Sequence, residues 1–443
     1  MSQYSAINLD RNVAMQRRLG SIESATVVTD EFSPFNVVGV LQLSGSPDSG
    51  DTRRSLNTLQ SLHPLLTARI RRNGGHLYFE DDSAEPLGLR VRPRLADTDW
   101  TGVVEEELAN AFDTARGPLA RCTLLCPPDP SKPAEVVFTF HHAIVDAVSG
   151  AHLFHQLLSL LTAKNQGHPI ARKTSPGPFP LPADQLFPAR FRGSARFLKL
   201  TPFLMRELRS EVTYRLRNRD RFSPPAPKEA RCRVLPVTLT PETTRKIMGR
   251  CRDHRVTLNS ALCAAILLAA RRICYNDENG DFRTIVFVDL RPHLAPPPDE
   301  ETLACYIGMY RLTLRLDRSS GLWPISRSVQ ETVYRSGKRG ERFSASLMSR
   351  HFMRMALAEG QSRMGATAVS YNGAVRLDGR YGDLSVNGLH AFISNNSMGP
   401  LYTAQALLFQ GRLNLDIVYL DADMNPEKAN SIRDLAICLL EGE

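Results

Sequence analysis

The chain is expected to be an α/β (or α+β) protein built in two halves, and three observations point there. Short apolar runs of strand length alternate with longer segments of helical period through both halves. Two proline-rich breaks, RKTSPGPFPLP at 172–182 and SPPAP at 223–227, bracket a basic amphipathic segment. The 443 residues, 42% hydrophobic and 23% charged, are ample to bury a core without metal or disulfide staples. At ~150 residues per domain the length suits about three units or two large ones.

A strand is predicted at 36–43, then a helix from Asp51 to Arg72, where leucines recur at 56, 59, 62, 65 and 66. A helix around 105–111 precedes a strand at 120–125. A stronger strand follows at 134–140, and helical spacing of Leu153, Leu157, Leu158 and Leu161 covers 150–164. The second half offers a strand at 233–239, helices at 241–254 and 259–275, and strands at 284–290 and 306–316. Helices at 323–337 and 345–358 lead to several strands between 366 and 420. Asn425-Pro426 starts a last helix, proline suiting its first position. The expected division is 1–171, a connector at 172–228, and 229–443.

Composition excludes several classes. Glycine and proline, 28 and 29 residues, are too few for a collagen-like or mostly disordered chain. No run approaches the ~20 apolar residues of a bilayer-spanning helix. The N-terminal stretch lacks the charged-then-apolar layout of a secretion signal, so a cytoplasmic protein is expected. The eight cysteines are scattered without a CxxC pair and read as reduced thiols. The net charge of +9 is concentrated: between Arg190 and Arg221 ten Lys/Arg face three acidic residues. One basic stripe suggests local docking rather than nucleic-acid binding.

The chemistry-bearing motif is His141-His142-Ala143-Ile144-Val145-Asp146-Ala147-Val148-Ser149-Gly150, at the end of an apolar strand and the start of a helix. Histidine suits a general base because its ordinary pKa lies near ~6.5. A metal site from His142, Asp146 and His152 or His155 matches no established ligand spacing. Ser149 lacks the Gly-x-Ser-x-Gly elbow of a nucleophile. A structural histidine pair is the plain alternative.

HHxxxD resembles the HHxxxDG signature of the CoA-dependent acyltransferase and condensation-domain superfamily. Further segments fall in family order: Leu59 to Arg69 (LQSLHPLLTAR), Phe112-Asp113 with Gly117 to Arg121 (GPLAR), Val288 to Pro292 (VDLRP), and Ser370 to Gly373 (SYNG) with Arg380-Tyr381-Gly382. The last of these, SYNG with Arg380-Tyr381-Gly382, resembles a segment of the polyketide-associated branch. The resemblance implies two chloramphenicol-acetyltransferase-like subdomains meeting at a V-shaped cleft with a central tunnel. It also implies that His142 takes a proton from an acceptor hydroxyl or amine attacking a thioester, while His141 orients the loop. Asp146 is then a scaffold residue paired with Arg291, and Ser370 or Asn372 donates to the developing oxyanion.

No permanently bound cofactor and no metal are implied. The donor is acyl-CoA or a phosphopantetheinyl thioester on an acyl carrier protein, the acceptor a small polyketide-like molecule, and the enzyme a monomer. The alternatives are a condensation-type cyclase or dehydratase, and a catalytically silent adaptor that docks a carrier protein. One departure stands out: Ala147 replaces the family glycine, and its methyl is expected to alter loop geometry or tunnel width. The segment 186–217 interleaves arginines with leucines and phenylalanines. A packed connector helix explains this as well as a surface for an acidic carrier protein, for CoA phosphates, or for peripheral contact with an anionic membrane.

Overall fold

The computed structural model describes residues 15–81, 85–129, 132–162, 177–218, 230–359 and 363–442. In chain order the first half contains β1 (Gln16–Arg18), α1 (Ser21–Phe32), β2 (Asn36–Ser44), α2 (Ser49–Leu62), β3 (Ala68–Asn73), β4 (His76–Asp81), β5 (Gly88–Pro93), α3 (Asp99–Ala109), β6 (Ala120–Cys126), β7 (Ala134–His141) and α4 (Ala147–Thr162). The connecting region holds α5 (Ala183–Leu186) and α6 (Arg196–Arg217). The second half contains β8 (Cys232–Thr238), α7 (Pro241–Asp253), α8 (Leu258–Cys274), β9 (Gly280–Asp289), β10 (Ile307–Leu316), α9 (Leu322–Arg339), α10 (Glu341–Glu359), β11 (Thr367–Ala374), β12 (Arg380–Tyr381), β13 (Leu384–Ile393), β14 (Tyr402–Phe409), β15 (Arg412–Leu420) and α11 (Pro426–Glu441).

Two six-stranded sheets organise these elements, one ordered β12-β13-β2-β7-β6-β5 and the other β10-β9-β11-β14-β15-β8. The first is not built from the first half alone. β13 runs antiparallel to β2 from Ser385 opposite Ser44 to Ile393 opposite Val37, so residues 380–393 leave their own half and complete the other sheet. The division at 229 therefore does not separate the sheets. A buried hydrogen-bonded pair holds the exchanged strand: His390 Nδ1 lies 2.7 Å from Asp416 Oδ1 of β15, and the Ala391 amide donates to Asp416 Oδ2 at 2.8 Å.

The predicted helix 51–72 is corrected. It begins at Ser49, with Asp48 accepting from the Asp51 amide, and ends at Leu62. His63 precedes Pro64 and is extended, as the proline ring demands of its neighbour, and residues 68–73 continue as a strand. The helix placed at 105–111 occupies 99–109, and that placed at 150–164 starts at Ala147 and reaches Thr162, with 163–164 outside the described residues. Residues 172–176 and 223–227 of the proline-rich breaks also lie outside them. Ala183, Leu186, Phe187 and Phe191 of the connecting region pack with Ile22, Leu290 and Phe343, so part of the connector is core.

α8 anchors the second half. Thr257 caps it by accepting from the Ser260 amide, and Ser260 through Arg271 are buried against the second sheet. No single helix among the described residues is long and apolar enough to cross a membrane. α9 meets α10 at Gly340, whose φ of 72° and close approach to the Phe191 ring admit no side chain.

Candidate active site

The central strand β7 delivers the motif. Its last residue, His141, pairs with Asn36 at the start of β2, and the His142 amide donates to the Phe35 carbonyl at 3.1 Å. The chain then turns, and α4 starts at Ala147. Asp146 precedes that helix and accepts from the Ser149 amide and hydroxyl through Oδ1, both at 3.0 Å, as an N-cap carboxylate does.

Asp146 Oδ2 faces the other half. It accepts from Arg291 Nη1 at 2.6 Å and from the Tyr306 amide at 2.8 Å, so both oxygens are occupied and neither bonds His142. Arg291, buried like Asp146, also donates to the Thr302 carbonyl at 3.3 Å. The pairing implied by the resemblance is thus present in the geometry. It ties the loop after β7 to the end of β9 and the approach to β10. Ser149 is buried and spent on Asp146 and the Ala304 carbonyl, which leaves no free nucleophile there.

His142 is buried, and its Nδ1 lies 3.0 Å from the Val145 carbonyl. A carbonyl only accepts, so Nδ1 carries the proton and Nε2 keeps its lone pair. Burial lowers the His142 pKa to about 4, partly offset by the Val145 bond and the Asp146 charge. The ring is therefore neutral at pH 7. His141 accepts from the Ala143 amide at Nδ1, while its Nε2 lies 3.6 Å from Asp30, so it shapes the turn. The metal alternative does not assemble: His155 bonds the Tyr381 hydroxyl at 2.6 Å and His152 lies near Glu301.

His142 lines a cavity of about 160 Å3 between α1, α10 and the second sheet. Phe35, Ile285, Phe287, Met309, Phe352 and Met353 make most of its wall apolar, and Asn395, Asn396 and Thr403 add polar edges. The segment following the exchanged strand β13 supplies Ser394 to Asn396, so the strand exchange helps build the site. Ser370 and Asn372 do not line this cavity; Ser370 Oγ donates to Asn372 Oδ1 at 3.3 Å. They follow Ala368, which does line it, on the same face of β11, Ser370 about 7 Å further along the strand. Ala147 is exposed at the first position of α4 and has no positive φ, so the methyl is accommodated without backbone strain.

Sequence reasoning missed α1, Phe35, the cavity face of α10 and the Ser394 to Asn396 segment. α1 is buried from Ile22 to Thr29 and rich in β-branched residues, so it shows no apolar stripe against a polar face. The asparagines carry no motif.

Comparisons with known proteins agree with this architecture. Residues 223–418 match the family model described as phthiocerol/phthiodiolone dimycocerosyl transferase C-terminus. The O-acetyltransferase pigM of Monascus ruber is 27% identical over 97 residues, a match spanning 22% of this chain and 19% of that relative's length. Polyketide synthase associated protein 5 from Mycobacterium tuberculosis superposes with a TM-score of 0.70 at 18% identity, covering 97% of this chain and 99% of that one. The trichothecene 15-O-acetyltransferase from Fusarium sporotrichioides gives 0.75 at 14% identity, covering 96% of each chain. The first condensation domain of the CDA synthetase gives 0.68 at 15% identity, over 98% of this chain and 97% of that one. The chain shares its fold with these acyltransferase and condensation-domain structures.

Proposed function

We propose, for a chain whose residues 223–418 match the phthiocerol/phthiodiolone dimycocerosyl transferase C-terminus family, that it is a polyketide-associated acyltransferase moving an acyl group from a thioester to a hydroxyl or amine of a polyketide-like molecule. The observation that carries this reading is the state of His142: a buried imidazole, its proton fixed toward the Val145 carbonyl, neutral at pH 7, on the wall of an apolar cavity. An alcohol is a weak nucleophile until a positioned base accepts its proton.

In this mechanism Nε2 takes the acceptor proton as the acceptor oxygen or nitrogen bonds to the thioester carbonyl carbon. The tetrahedral adduct collapses, the carbon–sulfur bond breaks, and His142 returns the proton to the departing thiolate. No acyl-enzyme is required, and Ser149 has no free hydroxyl to form one. The donor is acyl-CoA or a carrier-bound phosphopantetheinyl thioester, a co-substrate rather than a resident cofactor. For Ser370 or Asn372 to serve the oxyanion, the thioester carbonyl must lie at the end of the cavity where β11 runs on from Ala368, because neither side chain lines the wall itself. An Nε2 free to accept a proton speaks for a working enzyme rather than a silent adaptor.

The test is His142→Ala, assayed with an acyl thioester by thiol release and product formation. Turnover should fall by about 10²–10⁴-fold with the fold intact, the usual contribution of a general base. Wild-type turnover at saturating acceptor would remove His142 from the mechanism.

A further inference from the structure

α6 turns its apolar side away from the protein. Leu200 and Phe203 are buried toward the body, and Glu207 and Glu211 on the same side are held by Arg311 and Arg283. On the opposite side Leu198 is 79% exposed, Met205 63% and Leu216 61%, with Val212 and Leu208 beside them. Positions 198, 205, 212 and 216 fall within about 40° of one another at 3.6 residues per turn, so they form one stripe. Of the twelve exposed large apolar side chains among the described residues, six lie on this helix. A surface helix ordinarily shows the reverse arrangement.

The charges that the helix itself turns outward are cations. Arg209 sits within the outward face, Lys199 and Arg206 edge it on one side and Arg215 on the other; Arg206 is paired with Glu341 and Arg215 with Glu211 and Glu359, and both acids of the helix point inward. A 22-residue helix with an outward apolar stripe framed by cations has the form of an element lying in a bilayer interface. Its leucines enter the acyl boundary while Lys and Arg reach back to the headgroups. An acidic carrier protein would pair with the cations, whereas burying the outward leucines is what an acyl boundary supplies.

A second observation links this face to the candidate site. α6 packs on α10, with Phe203 and Phe352 ring centroids 6.2 Å apart, and Phe352 and Met353 line the cavity that holds His142. One helix thus separates the outward stripe from the apolar cavity. We propose that α6 docks the protein on an anionic lipid membrane, next to the phase in which a lipophilic acceptor or product dissolves.

The experiment is sedimentation of the full chain with phosphatidylcholine vesicles, with and without phosphatidylglycerol. The wild type should pellet with the phosphatidylglycerol-containing vesicles and much less with phosphatidylcholine alone. L198Q/M205Q/L216Q should weaken that binding at least about tenfold, since three apolar side chains no longer leave water. K199Q/R209Q should weaken it only where phosphatidylglycerol is present, and added salt should mimic that pair. The triple variant should keep wild-type turnover of a soluble acyl thioester with a small water-soluble acceptor, which separates failure of this proposal from failure of the acyl-transfer reading. The proposal falls if the wild type stays in the supernatant with phosphatidylglycerol-containing vesicles, or if the triple variant pellets like the wild type. It also falls if light scattering shows a dimer that the triple variant abolishes, or if an acidic carrier protein, and not the vesicles, loses affinity in that variant.

Discussion

Neutralising either member of the Asp146–Arg291 pair removes one charge and leaves the other buried. Arg291 Nη1 and Asp146 Oδ2 are 2.6 Å apart, and both side chains are about 6% exposed. Breaking such a pair costs about 3–5 kcal/mol. The neighbourhood places both single variants at the low end. In Asp146→Asn, Arg291 keeps Asp289 at 3.5 Å and the Thr302 carbonyl. In Arg291→Gln, Asp146 keeps the Tyr306 and Ser149 donors. Each single variant should therefore lose about 3 kcal/mol. The double variant has no orphaned charge and should be no worse than either single, a coupling of about 3 kcal/mol against ~0.5 kcal/mol for independent sites. Urea unfolding of the four proteins measures the cycle, and thiol release from an acyl thioester follows activity alongside. Both singles should also lose turnover, because the loop carrying His142 is no longer tied to the other half. Additive stabilities within ~0.5 kcal/mol would refute the bridge.

Two further outcomes follow from the same geometry. As the proposed base His142 would act in its neutral form, and its pKa is lowered to about 4, so kcat/KM should stay level as pH falls through the ordinary histidine range near ~6.5 and drop only toward 4. A half-fall near pH 6.5 would show that the ring is not desolvated in the working enzyme. Folding carries the matching sign: below ~6.5 the unfolded chain takes up a proton that buried His142 refuses, so stability falls as pH drops from there toward 4, and His142→Gln should flatten that slope. At the exchanged strand, Asp416→Leu strands the Ala391 amide and His390 and should cost about 3 kcal/mol. Trp100, stacked on His390 with centroids 5.0 Å apart, reports the loosening by fluorescence, and an unchanged signal with a loss below ~1 kcal/mol would dismiss the latch.

Much of the fold was legible because its elements carry local periodicity. The β7 strand is buried at every position and announces itself by Val136, Val137, Phe138 and Phe140, and the cap of the last helix is visible at Asn425-Pro426. The errors have local physical causes. Leu65 and Leu66 continue the spacing of α2, but they sit in a 3-10 turn forced by Pro64 and are buried there for tertiary reasons. β5 is mostly exposed and arginine-bearing at the sheet edge, so it has no apolar signature. Nothing local announces that β13 leaves its half. That pairing is a long-range choice between two apolar sheets, settled by register against β2 and by the buried Asp416 carboxylate.

The same reasoning explains which part of the site was readable. His142 and Asp146 lie four residues apart in one loop, and Arg291 follows a strand end with its own short pattern, so local motifs carry all three. The cavity has no such locality. Its walls come from α1, α10, four strands of one sheet and the segment leaving the exchanged strand of the other. Only the strand exchange brings Ser394 to Asn396 beside His142, since the Ser394 amide donates to the Asn36 carbonyl while Asn36 itself pairs with His141. Placing His142 therefore depends on two separate crossings between the halves: the Asp146–Arg291 pair on one side of the loop and the exchanged strand on the other. Loss of either crossing should displace His142 without altering any residue of the motif, and this gives the long exchanged segment a role in positioning the proposed base that its own sequence does not reveal.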